Sequence, residues 1–433
     1  MKPFIHVCGA GGIGTSGIAL LLKGAGFAVR GTDLRRSCIT DLLLQSGIPV
    51  TFEPRPDWVS VSEWVSVPAR FPENNPEIIA AKSHEIDICA RNESLLKIFA
   101  GKSRVVGVIG SLGKALAAKA LAFLGTAWKN AGWGWCVGAA SRDGATAHAQ
   151  WGSKMSLELD EREDLSAWLH GAAEALVISD WESDDLGYYG SSETAKLRFR
   201  QLITEARKSG MTLVYPDSDK SSEEFQTYVV ENAGKCSDYR FSIEMHGYEV
   251  GITPLNVPHD LALSFQGSVT EGKALCAALS YWMECGEGDW NAVQGMLPKL
   301  EMVGWFENHG HFVHDIRMHP VSIRAALQSL ARSYEQRPNL LIRPYPQTLR
   351  QYEPQVWAEA FNGVGQCCIL PPYPGEGARL SESFCTALKK AGIAVSLFPT
   401  LKDAWQSILK SAGNPWLFVG GDDLCQIETN ATD

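Results

Sequence analysis

Two glycine-rich turns carry most of the chemistry that this sequence offers. The first holds Gly9, Gly11, Gly12, Ile13 and Gly14 and is extended by Ser16 and Gly17. It follows a β-prone run over 4–8 and leads into a helical stretch over 18–23, a second strand over 27–30 and then Asp33. Glycines let the backbone approach a diphosphate closely, and a helix N-terminus adds free N–H groups and the positive end of its dipole. An acidic residue after the second strand accepts hydrogen bonds from a sugar or a base. The competing reading is a glycine turn that binds nothing.

The second turn is Gly110, Ser111, Leu112, Gly113 and Lys114, between an apolar strand over 104–109 and an Ala/Leu-rich helix. Such a loop surrounds phosphates with amides, adds a Lys as a point charge and offers a hydroxyl after the Lys to Mg²⁺. Ala115, Leu116 and Ala117 stand where that hydroxyl is needed. An Ala cannot ligate a cation, so the balance favours a plain strand-to-helix connection.

Downstream, Glu158, Asp160, Glu161, Glu163 and Asp164 place five carboxylates in seven residues. A run like this is either a solvated loop or the acidic edge of a metal site. A second acidic stretch, Asp180 to Leu186, includes Asp185. Mg²⁺ prefers oxygen ligands, so carboxylates of either stretch could hold it. His309 and His311 alternate on an expected strand, and with His314 and His319 they lack the pair spacing of zinc ligands. They read as surface or turn histidines.

The elements that must position these residues follow a β–α alternation. At roughly 150 residues per domain, 433 residues suggest about three domains. A 45% hydrophobic content excludes a disordered chain. The net charge of -10 argues against nucleic acid as a partner, since phosphate contacts need a basic surface. The 11 Cys residues form no C-x-x-C pair and read as buried thiols in a reducing compartment. No run of 18 apolar residues occurs, so no membrane insertion is expected. No signal peptide is read at the N-terminus, and the expected location is cytoplasmic.

The segment H-x-x-G-x-G-G-I-G-x-S-G-I-A from His6, with Gly31-Thr32-Asp33, resembles the opening of the Mur ligases. Asn75-Pro76-Glu77 and Arg91-x-Glu93-x-Leu95 extend the match, which thins toward the C-terminus. The resemblance implies an α/β fold of three domains. They are a Rossmann-like UDP-sugar domain (1–102), a P-loop-type central α/β domain (103–303) and a C-terminal Rossmann-like α/β domain (304–433). It places a UDP-sugar on Gly9, Gly11, Gly12, Ile13, Gly14, Ser16, Gly17 and Asp33. It places nucleotide on Gly110, Ser111, Gly113, Lys114 and Asp315, metal on Glu161 and Asp185, and catalysis on Lys114 and Glu161. Mg and ATP are the implied cofactors of an active enzyme.

The sequence departs from the family where ATP, metal and amino acid would meet. Val269, Thr270 and Lys273 replace the polar set of H-N-x-x-N, Gly304 and Trp305 replace two arginines, and Met318 replaces a His. The leading expectation is a homologue in peptidoglycan precursor metabolism that binds UDP-N-acetylmuramate or a related UDP-sugar, with ATP-dependent ligation weak or lost. The alternative is an active UDP-N-acetylmuramate–amino acid ligase with altered catalytic residues. A homo-oligomer, or a complex with an intact ligase, is the partner expectation. A dinucleotide-dependent oxidoreductase is a third reading, disfavoured by the Ser16-Gly17 extension.

Overall fold

The computed structural model describes residues 4–68, 71–99, 104–129, 132–138, 149–181, 186–222, 225–246, 249–256, 263–286, 293, 300, 307–309, 312–315, 317–372, 378–410, 413–420 and 424. They build three sheets. The first runs β3-β2-β1-β4-β5 and is parallel throughout: β1 (Phe4–Cys8), β2 (Ala28–Thr32), β3 (Val50–Thr51), β4 (Trp64–Ser66) and β5 (Asp87–Cys89). The chain reverses direction across the sheet between β1 and β4. That switch point opens a crevice at the carboxyl ends of the strands, where ligands of open α/β sheets bind. The first glycine turn lies there.

The central sheet has ten strands in the order β15-β14-β13-β12-β11-β10-β6-β9-β7-β8. They are β6 (Arg104–Ile109), β7 (Trp133–Cys136), β8 (Ala149–Gln150), β9 (Lys154–Glu158), β10 (Ala175–Ile178), β11 (Thr212–Pro216), β12 (Phe225–Asn232), β13 (Lys235–His246), β14 (Glu249–Pro254) and β15 (Leu263–Gln266). Strands β11, β10, β6, β9 and β7 are parallel; β12 to β15 continue as an antiparallel meander. The third sheet runs β16-β17-β21-β18-β19-β20. Its strands are β16 (Glu307–Asn308), β17 (Phe312–Asp315), β18 (Asn339–Ile342), β19 (Cys367–Ile369), β20 (Val395–Leu397) and β21 (Trp416–Val419), all parallel except the β16–β17 pair.

Strand alternation explains the near-continuous apolar runs. Val106 and Val108 of β6 enter the core beneath the helices Lys114–Lys129 and Val269–Cys285, whereas Val105 and Ile109 enter a second core on the opposite face. That second core also contains Ile5, Val7, Ile18 and Leu22, so the first and central sheets share buried apolar surface. In the third sheet Leu340 and Ile342 face one core and Leu341 the other.

The first helix spans Ile13–Gly24, starting five residues before the expected 18–23 stretch. The glycines that suggested a longer turn are helical: Gly12 is the N-cap, and Thr15 and Ser16 donate their amides to its carbonyl. Strand β2 likewise runs on to Thr32, past the expected 27–30. His309 is a second difference. It lies between the paired strands β16 and β17, where its amide bonds Phe312 O at 2.9 Å, and not on a strand. His311 lies outside the described residues.

Beneath the first turn, Glu77 is buried at 2% exposure. Asn75 caps the helix Pro76–Ser83 by accepting the Glu77 amide at 2.8 Å, which turns the Glu77 side chain inward. Its carboxylate lies 2.9 Å from His6 Nε2 and accepts from the Thr32 hydroxyl at 3.0 Å and the Arg55 amide at 3.0 Å. Burial disfavours its ionised form, but the bonds from His6, Arg55 and Thr32 outweigh that and lower its pKa below the usual 4.5. These bonds tie β1, β2, the loop at Arg55 and the helix Pro76–Ser83 together. Glu77→Ala is expected to destabilise the protein by about 3–5 kcal/mol, because it leaves several buried donors without an acceptor. The depressed carboxyl stabilises the fold above the unfolded value and loses that contribution as pH falls through the folded value. Denaturant unfolding at pH 7 and near pH 4 should therefore show a weaker loss on acidification in Glu77→Gln than in the wild type.

Candidate functional site

At the first turn, Gly9 adopts φ +59°, a conformation that favours glycine. Its carbonyl accepts the Gly12 amide at 2.9 Å, and the Ala10 amide reaches across to Thr32 O at 2.8 Å. Asp33 Oδ2 accepts the Gly11 amide at 2.8 Å, and Oδ1 accepts the Leu34 amide at 2.7 Å. Asp33 therefore braces the turn, a role the sequence reading did not assign to it. A Cβ on Gly11 would stand 2.6 Å from the Thr40 methyl and 3.0 Å from Asp33 Oδ2, so this brace depends on glycine. The amides of Ile13 and Gly14 open the helix, where no preceding carbonyl of the helix serves them. Ser16 and Gly17 are buried in the first turns of the helix and act as packing residues.

At the second turn, Gly110 and Gly113 adopt φ +142° and +75°. A Cβ on Gly110 would meet Ser179 Oγ at 2.4 Å, and one on Gly113 would meet Ala274 Cβ at 2.7 Å. These glycines are required by close packing against β10 and the Val269–Cys285 helix, whatever the loop binds. The Ser111 amide bonds Asp180 O at 2.9 Å. Lys114 is the first residue of the helix Lys114–Lys129, and its Nζ lies 3.0 and 3.3 Å from the two carboxylate oxygens of Glu161. Glu161 is 3% exposed. Burial disfavours the Lys114 charge, but the carboxylates of Glu161, Glu158 and Asp160 outweigh that and raise its pKa. The two expected catalytic residues are thus together, as an ion pair.

The acidic segment is not a solvated loop. Arg91 donates to Gly14 O and, through Nη2, to Glu158 O at 3.2 Å. Asn92 exchanges two bonds with the Asp160 backbone at 2.8 and 2.9 Å. Glu163 accepts the Asn92 amide at 2.7 Å at the start of the helix Arg91–Phe99. Arg198 donates to Glu161 O at 3.3 Å. Burial disfavours ionised Asp160, but its bonds from Arg162 and the Lys114 charge outweigh that and hold it at about 2. The segment joins the first turn to the second. Arg91 carried a sequence signal in R-x-E-x-L; Asn92 and Arg198 gave none, because their partners are distant in the chain.

Residues 4–103 match the family "Mur ligase family, catalytic domain". The chain is 27% identical over 397 residues to a UDP-N-acetylmuramate–L-alanine ligase of Aquifex aeolicus, covering 86% of this chain and 84% of that protein. A protein of the same name from Agrobacterium fabrum is 26% identical over 449 residues, covering 96% and 92%. The chain is a relative of the Mur ligases. Its fold matches the UDP-N-acetylmuramate-alanine ligase of Thermotoga maritima with TM-score 0.77 at 19% identity, over 100% of this chain and 98% of that one. A murein peptide ligase of Psychrobacter arcticus matches with TM-score 0.67 at 13% identity, over 99% and 98%. The fold is the three-domain α/β arrangement of those structures.

In this Mur ligase relative the second turn offers the Glu161 carboxylate beside Lys114 and no hydroxyl after that lysine. A hard divalent cation needs oxygen ligands. The position after Lys114 is Ala115, buried at 5% exposure, and Glu161 is engaged with Lys114. Asp185 lies outside the described residues. Asp315, the expected nucleotide contact of the third sheet, is 2% exposed and accepts from Arg317 Nε at 2.8 Å. Of the histidines, His314 is buried with Nε2 3.2 Å from Gly420 O, and His319 caps the helix Pro320–Tyr334. His6, Cys8 and Glu77 do bring ligand atoms within 4.8 Å of one another. The Glu77 oxygens there are committed to His6, Thr32 and Arg55, and burial beside that carboxylate pushes the Cys8 thiol well up. No helix among the described residues is long and apolar enough to cross a membrane.

The Lys114–Glu161 pair gives a direct expectation. Lys114→Ala and Glu161→Ala should each destabilise the protein by about 1–3 kcal/mol, since each leaves a buried polar partner unsatisfied. The double variant should lose less than the sum, with a coupling of about 0.5–3 kcal/mol. Denaturant unfolding of the four proteins reads this; strictly additive losses would contradict the pair.

Proposed function

We propose that this protein binds UDP-N-acetylmuramate or a related UDP-sugar at the first turn, and that its ATP-dependent ligase activity is weak or lost. The pyrophosphate would lie on the amides of Ile13 and Gly14, in a turn shaped by Gly9, Gly11 and Gly12 and braced by Asp33. The units are taken as 1–102 for the sugar nucleotide, 103–303 for the central domain and 304–433 for the C-terminal domain. The protein would act as a binding or regulatory component of peptidoglycan precursor metabolism, in the cytoplasm.

The observation that carries the loss of activity is the state of the second turn. Amide formation through an acyl phosphate requires neutralisation of the transferring phosphoryl group by metal and cations. Here the one lysine of the loop is neutralised by Glu161, and Ala115, Leu116 and Ala117 are buried side chains without an oxygen. Losing one preorganised polar group at such a centre costs about 10²–10³ in rate.

A second reading, an active ligase with altered residues, is favoured by one observation. Lys114 and Glu161 lie side by side, where a phosphate and a metal could separate them. Calorimetric titration distinguishes the two. Binding of UDP-N-acetylmuramate without binding of Mg-ATP is expected. Steady phosphate release that requires UDP-N-acetylmuramate, ATP and one of a panel of amino acids would contradict the proposal and establish the ligase.

A further inference from the structure

The third sheet meets the central one at three buried charges. Asp315 is the last residue of β17. Arg317 follows two residues later, with its side chain 11% exposed. Glu271 lies in the first turn of the Val269–Cys285 helix, which packs on the central sheet, and is 5% exposed. The Asp315 carboxylate accepts from the Arg317 amide at 2.9 Å and from Nε at 2.8 Å. The same guanidinium reaches Glu271 Oε1 through Nη1.

If the sheets part, Asp315 stays with Arg317 on the third sheet, and Glu271 is left on the Val269–Cys285 helix. Glu271 Oε2 accepts from the Ser268 amide at 2.7 Å and so belongs to its own helix start. Asp315 is fixed by its strand, where its carbonyl accepts the Gly420 amide at 3.2 Å. One planar guanidinium fork therefore holds a carboxylate from the third sheet and one from the Val269–Cys285 helix. A buried ion cluster of this kind adds little net stability, but it specifies one arrangement, and removing its cation leaves two buried anions facing each other.

We propose that Arg317 is a latch that holds the third sheet closed against the Val269–Cys285 helix in the unliganded protein. Closure is set by charge pairing within the chain and needs no nucleotide. The latch stands whether or not the second turn binds ATP, so it goes beyond the functional reading above.

Small-angle X-ray scattering of the full chain without ligand tests it, with circular dichroism and a cooperative melt to establish folding. The wild-type curve should fit the closed arrangement. Arg317→Ala should increase the radius of gyration and the maximum dimension. Arg317→Ala combined with Glu271→Gln, which relieves the repulsion and keeps an acceptor for Ser268, should fall between the two. Glu271→Gln alone serves if Arg317→Ala does not fold, with a smaller increase expected. Variant curves that superpose on the wild type would overturn the latch. So would a wild-type curve that becomes compact only when Mg-ATP is added.

Discussion

Five carboxylates between Glu158 and Asp164 would repel one another and stay in water unless something held them. Asp164 does stay exposed, but the rest of the segment is held from three directions: Arg91, Asn92 and Arg198 bond its backbone carbonyls, and Lys114 pairs with the Glu161 carboxylate. Through these bonds the segment joins the two glycine turns. Because Arg91 also bonds Gly14 O, the start of the first helix and the end of β9 are fixed by a single guanidinium. The shared apolar core of the two sheets then has one register in which to pack.

The two turns resolve the same local problem differently. Both end a parallel strand, both use positive-φ glycines, and both open a helix. At the first, the Asp33 carboxylate is spent on the turn's own backbone, at the Gly11 and Leu34 amides. At the second, Lys114 is matched by Glu161 and the next three side chains are apolar. A loop with its charge balanced inside the protein has less attraction for a triphosphate than one with an uncompensated lysine. That asymmetry links the sequence to the proposed division between binding and chemistry.

The α/β alternation, the two turns and the strands that precede them were legible because their signals are local: glycine placement, apolar period and length. The helix start was misplaced because glycines at 14 and 17 look like a turn until Gly12 is recognised as the cap. The role of the acidic run was not legible, since the residues that hold it lie 35 to 71 positions away in the chain. The same holds for Arg317: its neighbour Asp315 was noticed as a nucleotide contact, but nothing local indicated that Glu271 would complete a triad. Asp33 shows the reverse case, in which a residue chosen for ligand contact proves to be structural in its observed bonds.

The most direct measurement is a crystal structure of the protein grown with a non-hydrolysable ATP analogue and Mn²⁺, with anomalous scattering recorded to locate the metal. The expected result is no ordered triphosphate at the second turn, with Lys114 still paired to Glu161. An ordered triphosphate over Lys114, with Mn²⁺ bound by Glu161, would contradict the account.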